Sequence, residues 1–423
     1  MLENTSALAD KKRRPPFVVL VALSLCGAVL VTAYIGLKKY QSYAFQMEVE
    51  AARIQGNWDK VAYMSLMRLN TSPHDIDALR YAAEASFARG SIHQAAELYE
   101  QLPPDDPRSA EGFLQLGLLN ISIRNKPLSA EGNFLQSLAL DPGLLKASRE
   151  LLLYYGKTFQ ASKATKLARS SILAGREAPI AYVYLFSFEE LVSSSGASDC
   201  ERWLTNIPKT DLENRERFEV AYVLHKSKAI SNGVAAEGFT TNDKRLEQQA
   251  QQQQMLLRAH AKYPENFEVL AAILKAASDR GDQQEVAKFL ALIPASASSD
   301  SRAWRYKGWL HREREEYSDA ETSLHTAVQR NHYDWKSRTL LGEVLRLQGK
   351  TQESQEQLNL ANTGHELETS LLNLNGIDII PPAVLEQMRL NAERVGDDPV
   401  ERQLAKRLEE LKAAIGTESK SLR

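Results

Sequence analysis

Cysteine is nearly absent from this chain of 423 residues, which carries only Cys26 and Cys200. One lies in an apolar run and the other beside a loop, so no disulfide framework or Cys/His metal site can be built from them. The pair leaves the redox compartment open. A surplus of either charge is also missing: 52 Lys and Arg face 54 Asp and Glu, which gives no whole-chain case for nucleic-acid binding. Proline and glycine, at 15 and 21 residues, are too few for a large disordered fraction. Catalytic signatures are lacking as well. There is no Gly-rich phosphate loop, no nucleophile elbow and no zinc-protease helix motif. The eight histidines are scattered, and nothing acidic or sulfur-bearing clusters in sequence with His325 and His332. Glu315-Glu316 and Glu409-Glu410 are chain neighbours, so neither pair shares one helix face. No catalytic residue, cofactor or metal site is expected, and the chain does not read as an enzyme.

What is present begins with one apolar run. Residues 17–37 carry no charge over 21 positions, about the length that crosses a 30 Å hydrocarbon core as helix. Lys11, Lys12, Arg13 and Arg14 precede it and Lys38 and Lys39 follow, which favours a cytoplasmic N-terminus. Val31-Thr32-Ala33 fits a signal-peptidase site, but the apolar run continues past it. Leu25 is bulky for the residue before a lipidated cysteine at Cys26. The sharp basic brackets argue against a buried core helix. The expectation is a single-pass membrane protein: a basic segment 1–16, a transmembrane helix 17–37, and the rest outside the cytoplasm, as in a bacterial envelope.

A second pattern covers most of the remainder. Gly308 and Gly342 are 34 residues apart, as are Leu324 and Leu358, and Ala327 and Ala361. Small residues let two antiparallel helices cross closely, and large ones fill the space between pairs, so a fixed recurrence signals stacked helix pairs. A repeat begun at Ser301 holds Trp304, Gly308, Tyr317, Ala320, Leu324 and Ala327; one begun at Trp335 holds Leu341, Gly342, Gly349, Leu358 and Ala361. One begun at Ile76 holds Leu79, Ala83, Gly90, Ala95, Tyr99, Leu102 and Pro107; one begun at Glu111 holds Leu114, Asn125, Ala130, Phe134 and Pro142. In this period and these landmarks the chain resembles the tetratricopeptide repeat family. The resemblance implies an all-α, right-handed superhelical solenoid of antiparallel helix pairs over residues 42–368, with degenerate copies across 145–300.

Three segments, ending at Pro103, Pro208 and Pro294, share two large apolar residues, two variable ones, an apolar residue and proline. Each is expected to stop a second helix early. Residues 193–198 and 238–243 read as loops, and Glu247 to Gln254 as the solvated face of a helix. Pro381-Pro382 marks the end of the array. In the tail, Leu404, Leu408 and Leu411 define an amphipathic helix, expected to cap the stack within 369–423. Asn4-Thr5-Ser6, Asn70-Thr71-Ser72 and Asn120-Ile121-Ser122 match the glycosylation sequon, a pattern short enough to occur often by chance.

The expected functional element is a surface. The resemblance places positions 2, 5, 9 and 12 of each first helix in a groove. Here these include Arg302, Arg305, Trp309 and Arg312, then Lys336 and Arg346 in the next repeat. Five cations beside one aromatic suit a protein or peptide segment carrying acidic groups. They equally suit an ordinary hydrated helix face. Where chaperone-binding members carry asparagine at position 9, this chain has Trp309 and Glu343. The function implied is a membrane-anchored scaffold that assembles or holds proteins, with no nucleic-acid partner. A dedicated accessory factor of cytochrome maturation, secretion or polymer export is the alternative. An enzyme hidden in residues 180–266 is a third class without a visible acid–base pair.

Overall fold

In the computed structural model the described residues are 17–187, 189, 195–236, 242–374 and 379–421; side chains are described for these except within 17–27, 231–236, 242–243 and 414–421. The basic segment 1–16 lies outside them. The chain divides into two compact units, Met1–Pro104 and Asp105–Arg423.

The first unit holds α1 (Phe17–Ile54), α2 (Trp58–Thr71), α3 (Ile76–Ala88) and α4 (Ile92–Glu100). At 1.5 Å per residue α1 is about 57 Å long, and it carries the apolar run without a break into the first helix pair. Among the described residues no helix is long and apolar enough to cross a membrane. The side chains of 17–27, the first half of the run, are outside them. The far half of α1 packs through Val49 and Ala52 on Val61 and Ala62 of α2, flanked by Phe45, Trp58 and Tyr81.

The second unit contains α5 (Ala110–Ser122), α6 (Pro127–Leu140), α7 (Leu145–Lys157), α8 (Ala161–Leu173), α9 (Ile180–Phe186), α10 (Gly196–Leu204), α11 (Leu212–Ala236) and α12 (Asn242–Lys262). It continues with α13 (Phe267–Asp279), α14 (Gln283–Leu290), α15 (Ser301–Glu313), α16 (Tyr317–Arg330), α17 (Trp335–Leu347), α18 (Thr351–Leu372), α19 (Pro382–Arg394) and α20 (Asp398–Ser421). No strand occurs among the described residues.

The 34-residue spacing has a steric cause. A methyl group on Gly308 would come within 2.5 Å of Leu324, and one on Gly342 within 2.7 Å of Leu358. In each pair the second helix lays a leucine into the space a missing side chain leaves in the first. The helix starts repeat at the same pitch. Asn266, Asp300 and Asp334 precede α13, α15 and α17, and each accepts a backbone N–H of the first turn.

The turn inside each pair follows the pitch too. Gly56, Gly90, Asn125, Phe159, Gly281, Glu315, Gly349 and Gly396 all have positive φ, between 51° and 80°. Gly90, Phe159, Gly281, Glu315, Gly349 and Gly396 are each fifteenth from the first residue of the pair's first helix, Asn125 is sixteenth from Ala110, and Gly56 follows the much longer α1. Gly396 is fifteenth counting from Pro382, so Pro381-Pro382 does not end the helix-pair grammar. Pro382 opens a further pair, because proline's fixed φ and missing N–H suit the first residue of a helix.

Two loop expectations change. Residues 193–194 and 238–241 lie outside the described residues, but Gly196 and Asn242 start helices. Gly196 is small because the His225 ring sits 2.3 Å from where a methyl would be. Its lack of a side chain serves close packing rather than a turn. The glutamine-rich stretch is helical, as expected, within α12. The three prolines follow short helices, α4, α10 and α14; α4 and α14 pack on the helix before them as second helices, whereas α10 packs on α11 after it.

The tail helix is amphipathic, with Leu404 and Leu408 buried. It packs on α19 and also returns to α8, far back in the chain. In the α19–α20 turn, Asp397 accepts hydrogen bonds from Arg169 of α8 (2.5 and 2.8 Å) and from the Tyr333 hydroxyl (2.8 Å). Contacts within this unit therefore extend beyond the nearest-neighbour stacking of an open array.

Candidate functional site

The residues that converge in the second unit do so around a cavity of about 560 Å3. The first half of α8, the end of α9 with Glu189, the start of α15, the α16–α17 turn, Glu368 of α18 and Asp397 line it. Its volume falls in the range of small-ligand sites, about 300–1,000 Å3, but its wall is dominated by charge. Lys166, Arg169, Arg302, Arg305, Arg330 and Lys336 contribute cations; Glu189, Asp300, Asp334, Glu368 and Asp397 contribute carboxylates.

Most of this charge is already matched. Arg305, only 5% exposed, donates to Asp334 (2.8 Å) on one side and to both oxygens of Glu189 (3.2 and 2.8 Å) on the other. Asp334 is buried and also accepts from the Ser337 N–H and hydroxyl at the start of α17. Arg302 forks onto both oxygens of Glu268 (2.9 and 2.7 Å) and onto Asp300. Lys336 lies 3.7 Å from Glu189. Burial alone would raise the Glu189 carboxyl, but Arg305, Lys336 and Arg302 outweigh it and hold it well below the usual carboxylate range. Burial likewise works against the Arg305 charge, while Asp334 and Glu189 lift its pKa well above normal. For Asp397, burial pushes the carboxyl up, and Arg169 and Tyr333 bring it below its ordinary value.

Three groups stay unmatched. Lys166 and Arg330 are exposed at the cavity wall and have no ion-pair partner among the described residues. The Ser187 hydroxyl lines the cavity, is 2% exposed and has no hydrogen-bond partner among them.

Of the sequence-predicted groove residues, Arg302, Arg305 and Lys336 reach this cavity. Trp309 does not; it is buried in the core of the unit. Arg312 bonds to Glu313 and Glu343, and Arg346 is exposed outside the cavity wall. Among the repeat-packing residues, Ala83, Ala95, Tyr99, Ala130, Phe134, Gly308, Ala320, Ala327, Gly342 and Ala361 are buried. Gly90 serves its turn instead. Trp304 is half-buried, bonds to the Ser298 carbonyl (2.9 Å) and lines a second, apolar pocket of about 420 Å3.

Sequence reading missed Lys166, Arg169, Glu189, Arg330 and Asp397. It also missed that equivalent positions of successive pairs touch. Glu268, Arg302 and Lys336 follow one another at 34 residues, and the first two form an ion pair at 2.7 Å. The opposite charges of Glu268 and Arg302 at that spacing were available as a signal. Elsewhere, His325 approaches Glu321 (3.9 Å). On the α15–α16 turn His311 Nδ1 lies 2.5 Å from Glu316, with Asp319 near. Asn120 is buried and bonds to Asn133 and Arg124, so that sequon presents no free amide. Burial, with Asp199 adding to it, pushes the Cys200 thiol up to about 12, far from a reactive thiolate.

No family model matches the sequence, and no curated protein does. Among solved structures, the APC/C hetero-tetramer Cut9-Hcn1 is similar at a TM-score of 0.29 and 11% identity, covering 86% of this chain and 78% of that one. A tetratricopeptide repeat protein from Parabacteroides merdae is similar at a TM-score of 0.27 and 9% identity, covering 71% of this chain and 97% of that one. Likeness this loose leaves the fold to rest on the chain's own geometry.

Proposed function

We propose that this chain is a membrane-anchored scaffold that holds a protein partner through the cavity of its second unit, and that it is not an enzyme. The carrying observation is the incomplete charge match there. Arg302, Arg305 and Lys336 are engaged by built-in carboxylates, while Lys166, Arg330 and the Ser187 hydroxyl are not. An acidic side chain or terminal carboxylate on a partner segment satisfies that remainder. So small a surplus favours one dedicated partner over many clients, which supports the accessory-factor version of this reading. Residues 17–37 act as the anchor, with the N-terminus cytoplasmic and the helix pairs outside, as in a bacterial envelope; the uncharged length and basic brackets support this.

The test uses the full chain in intact membranes with a photoreactive residue in place of Thr165, which lines the cavity. One defined adduct is expected. It should vanish in the Lys166→Glu/Arg330→Glu double variant while helicity is unchanged. An adduct indifferent to that reversal would sink the proposal. Protease access to a C-terminal tag in intact and permeabilised cells decides the side of the membrane.

A further inference from the structure

Helix α1 has two apolar stripes, and the first unit uses only one. The inner stripe is Phe45, Val49 and Ala52, packed towards α2. The other lies roughly opposite at 100° per residue. It contains Tyr40, Met47 and Ile54, which are 69%, 56% and 77% exposed. Ala44 and Ala51 fall between them. The polar residues of this half, among them Lys39, Gln41, Glu48 and Arg53, all lie off that outer line.

The outer stripe has a period. Leu30, Ala33, Leu37, Tyr40, Ala44, Met47, Ala51 and Ile54 are separated alternately by three and four residues. That is an unbroken heptad seam of about 36 Å along α1. Within 17–37 any line would be apolar. Beyond Lys39 it would not, and there the seam holds its phase for two further heptads.

The geometry points to a second copy of this chain as the occupant: we infer a parallel α1–α1 dimer that runs through the membrane and continues beyond it. This rests on the anchor reading given above. A partner for this seam must itself be a helix that crosses the bilayer and stays in register outside. A second copy inserts in the same direction and brings an identical stripe. In that register the flanking residue Tyr43 of one copy faces Glu48 of the other, a hydroxyl against a carboxylate, and Glu50 faces Gln55. No like charges oppose each other.

The test is disulfide crosslinking of the full-length protein in membrane vesicles, in a Cys26→Ala background with buried Cys200 left in place. Single cysteines at seam positions (Tyr40→Cys, Met47→Cys, Ile54→Cys) should oxidise to a species of twice the chain mass at least tenfold more efficiently than Lys39→Cys or Arg53→Cys. Met47→Glu, added to Tyr40→Cys, should abolish that species without loss of helicity. Membrane retention without seam dimers would overturn the inference, as would a seam adduct of any other mass. Release of the chain by an alkaline wash would instead refute the anchor, whatever the crosslinks show.

Discussion

Arg169→Ala and Asp397→Ala should both destabilise the second unit, and only the first should recover in acid. The Asp397 side chain is 2% exposed and the Arg169 side chain 40%. Removing Asp397 lets Arg169 turn to water and leaves the Tyr333 hydroxyl unpaired. With the exposed guanidinium discounted for solvent screening, this costs about 2 kcal/mol. Removing Arg169 leaves a buried carboxylate with only the neutral Tyr333 hydroxyl and Val400 N–H to answer it, which costs about 3 kcal/mol at neutral pH. The pH slopes follow from linkage. In the natural protein Asp397 is held below its unfolded value of about 3.9, so its stabilisation is present above that pH and is lost as pH falls through the folded value. In Arg169→Ala, burial is opposed only by Tyr333 and the Val400 N–H and should raise the carboxyl above its unfolded value. Its penalty is then present at neutral pH and relieved on acidification. Asp397→Ala has no such group and neither trend. The assay is urea-dependent hydrogen exchange of peptides from α8 and α20, read between pH 7 and pH 4, because a two-unit chain has no single global transition. A double variant should show coupling of about 1–3 kcal/mol between the two sites. If Arg169→Ala were no worse than Asp397→Ala at pH 7, and gained nothing on acidification, the reasoning would be refuted.

Three other outcomes can be checked directly. Glu315 sits at a φ of 61° where equivalent turns hold glycine, so Glu315→Gly should stabilise by about 0.5–1 kcal/mol in chemical denaturation. Phe159→Gly relieves the same backbone strain but removes a buried ring and should destabilise by about 2–3 kcal/mol net; stabilisation there would overturn the ranking. In a Cys26→Ala protein, Cys200 should stay unlabelled by a thiol reagent at pH 8 and react only on unfolding, since its thiol is buried and pushed up to about 12.

The periodic part of this molecule was legible because its causes are local. Helices begin at Ser301, Trp335 and Ile76, where the landmarks were counted from, and Gly308 and Gly342 meet the leucines that the spacing paired with them. The candidate site was only half legible. The cations of one helix face could be counted, but their partners could not. Glu189 meets Arg305 across 116 residues, and Asp397 meets Arg169 across 228. Neither separation is a multiple of the repeat, so no periodicity points to either contact. Gly196 misled for a related reason. A glycine required by a ring arriving from α11 reads, along the chain, like a glycine required by a turn.

The return of the last hairpin to α8 bears on how such a chain can change its length. In a stack where each pair touches only its neighbours, a duplicated or deleted pair alters the count and little else. Here Asp397 must arrive at Arg169 and Tyr333 together, and α20 must land on α8. Inserting or excising 34 residues between α9 and α18 would carry the hairpin past its seat by a whole step. The second unit is therefore fixed in copy number, and tolerance to insertion belongs to its exposed turns rather than to its repeats.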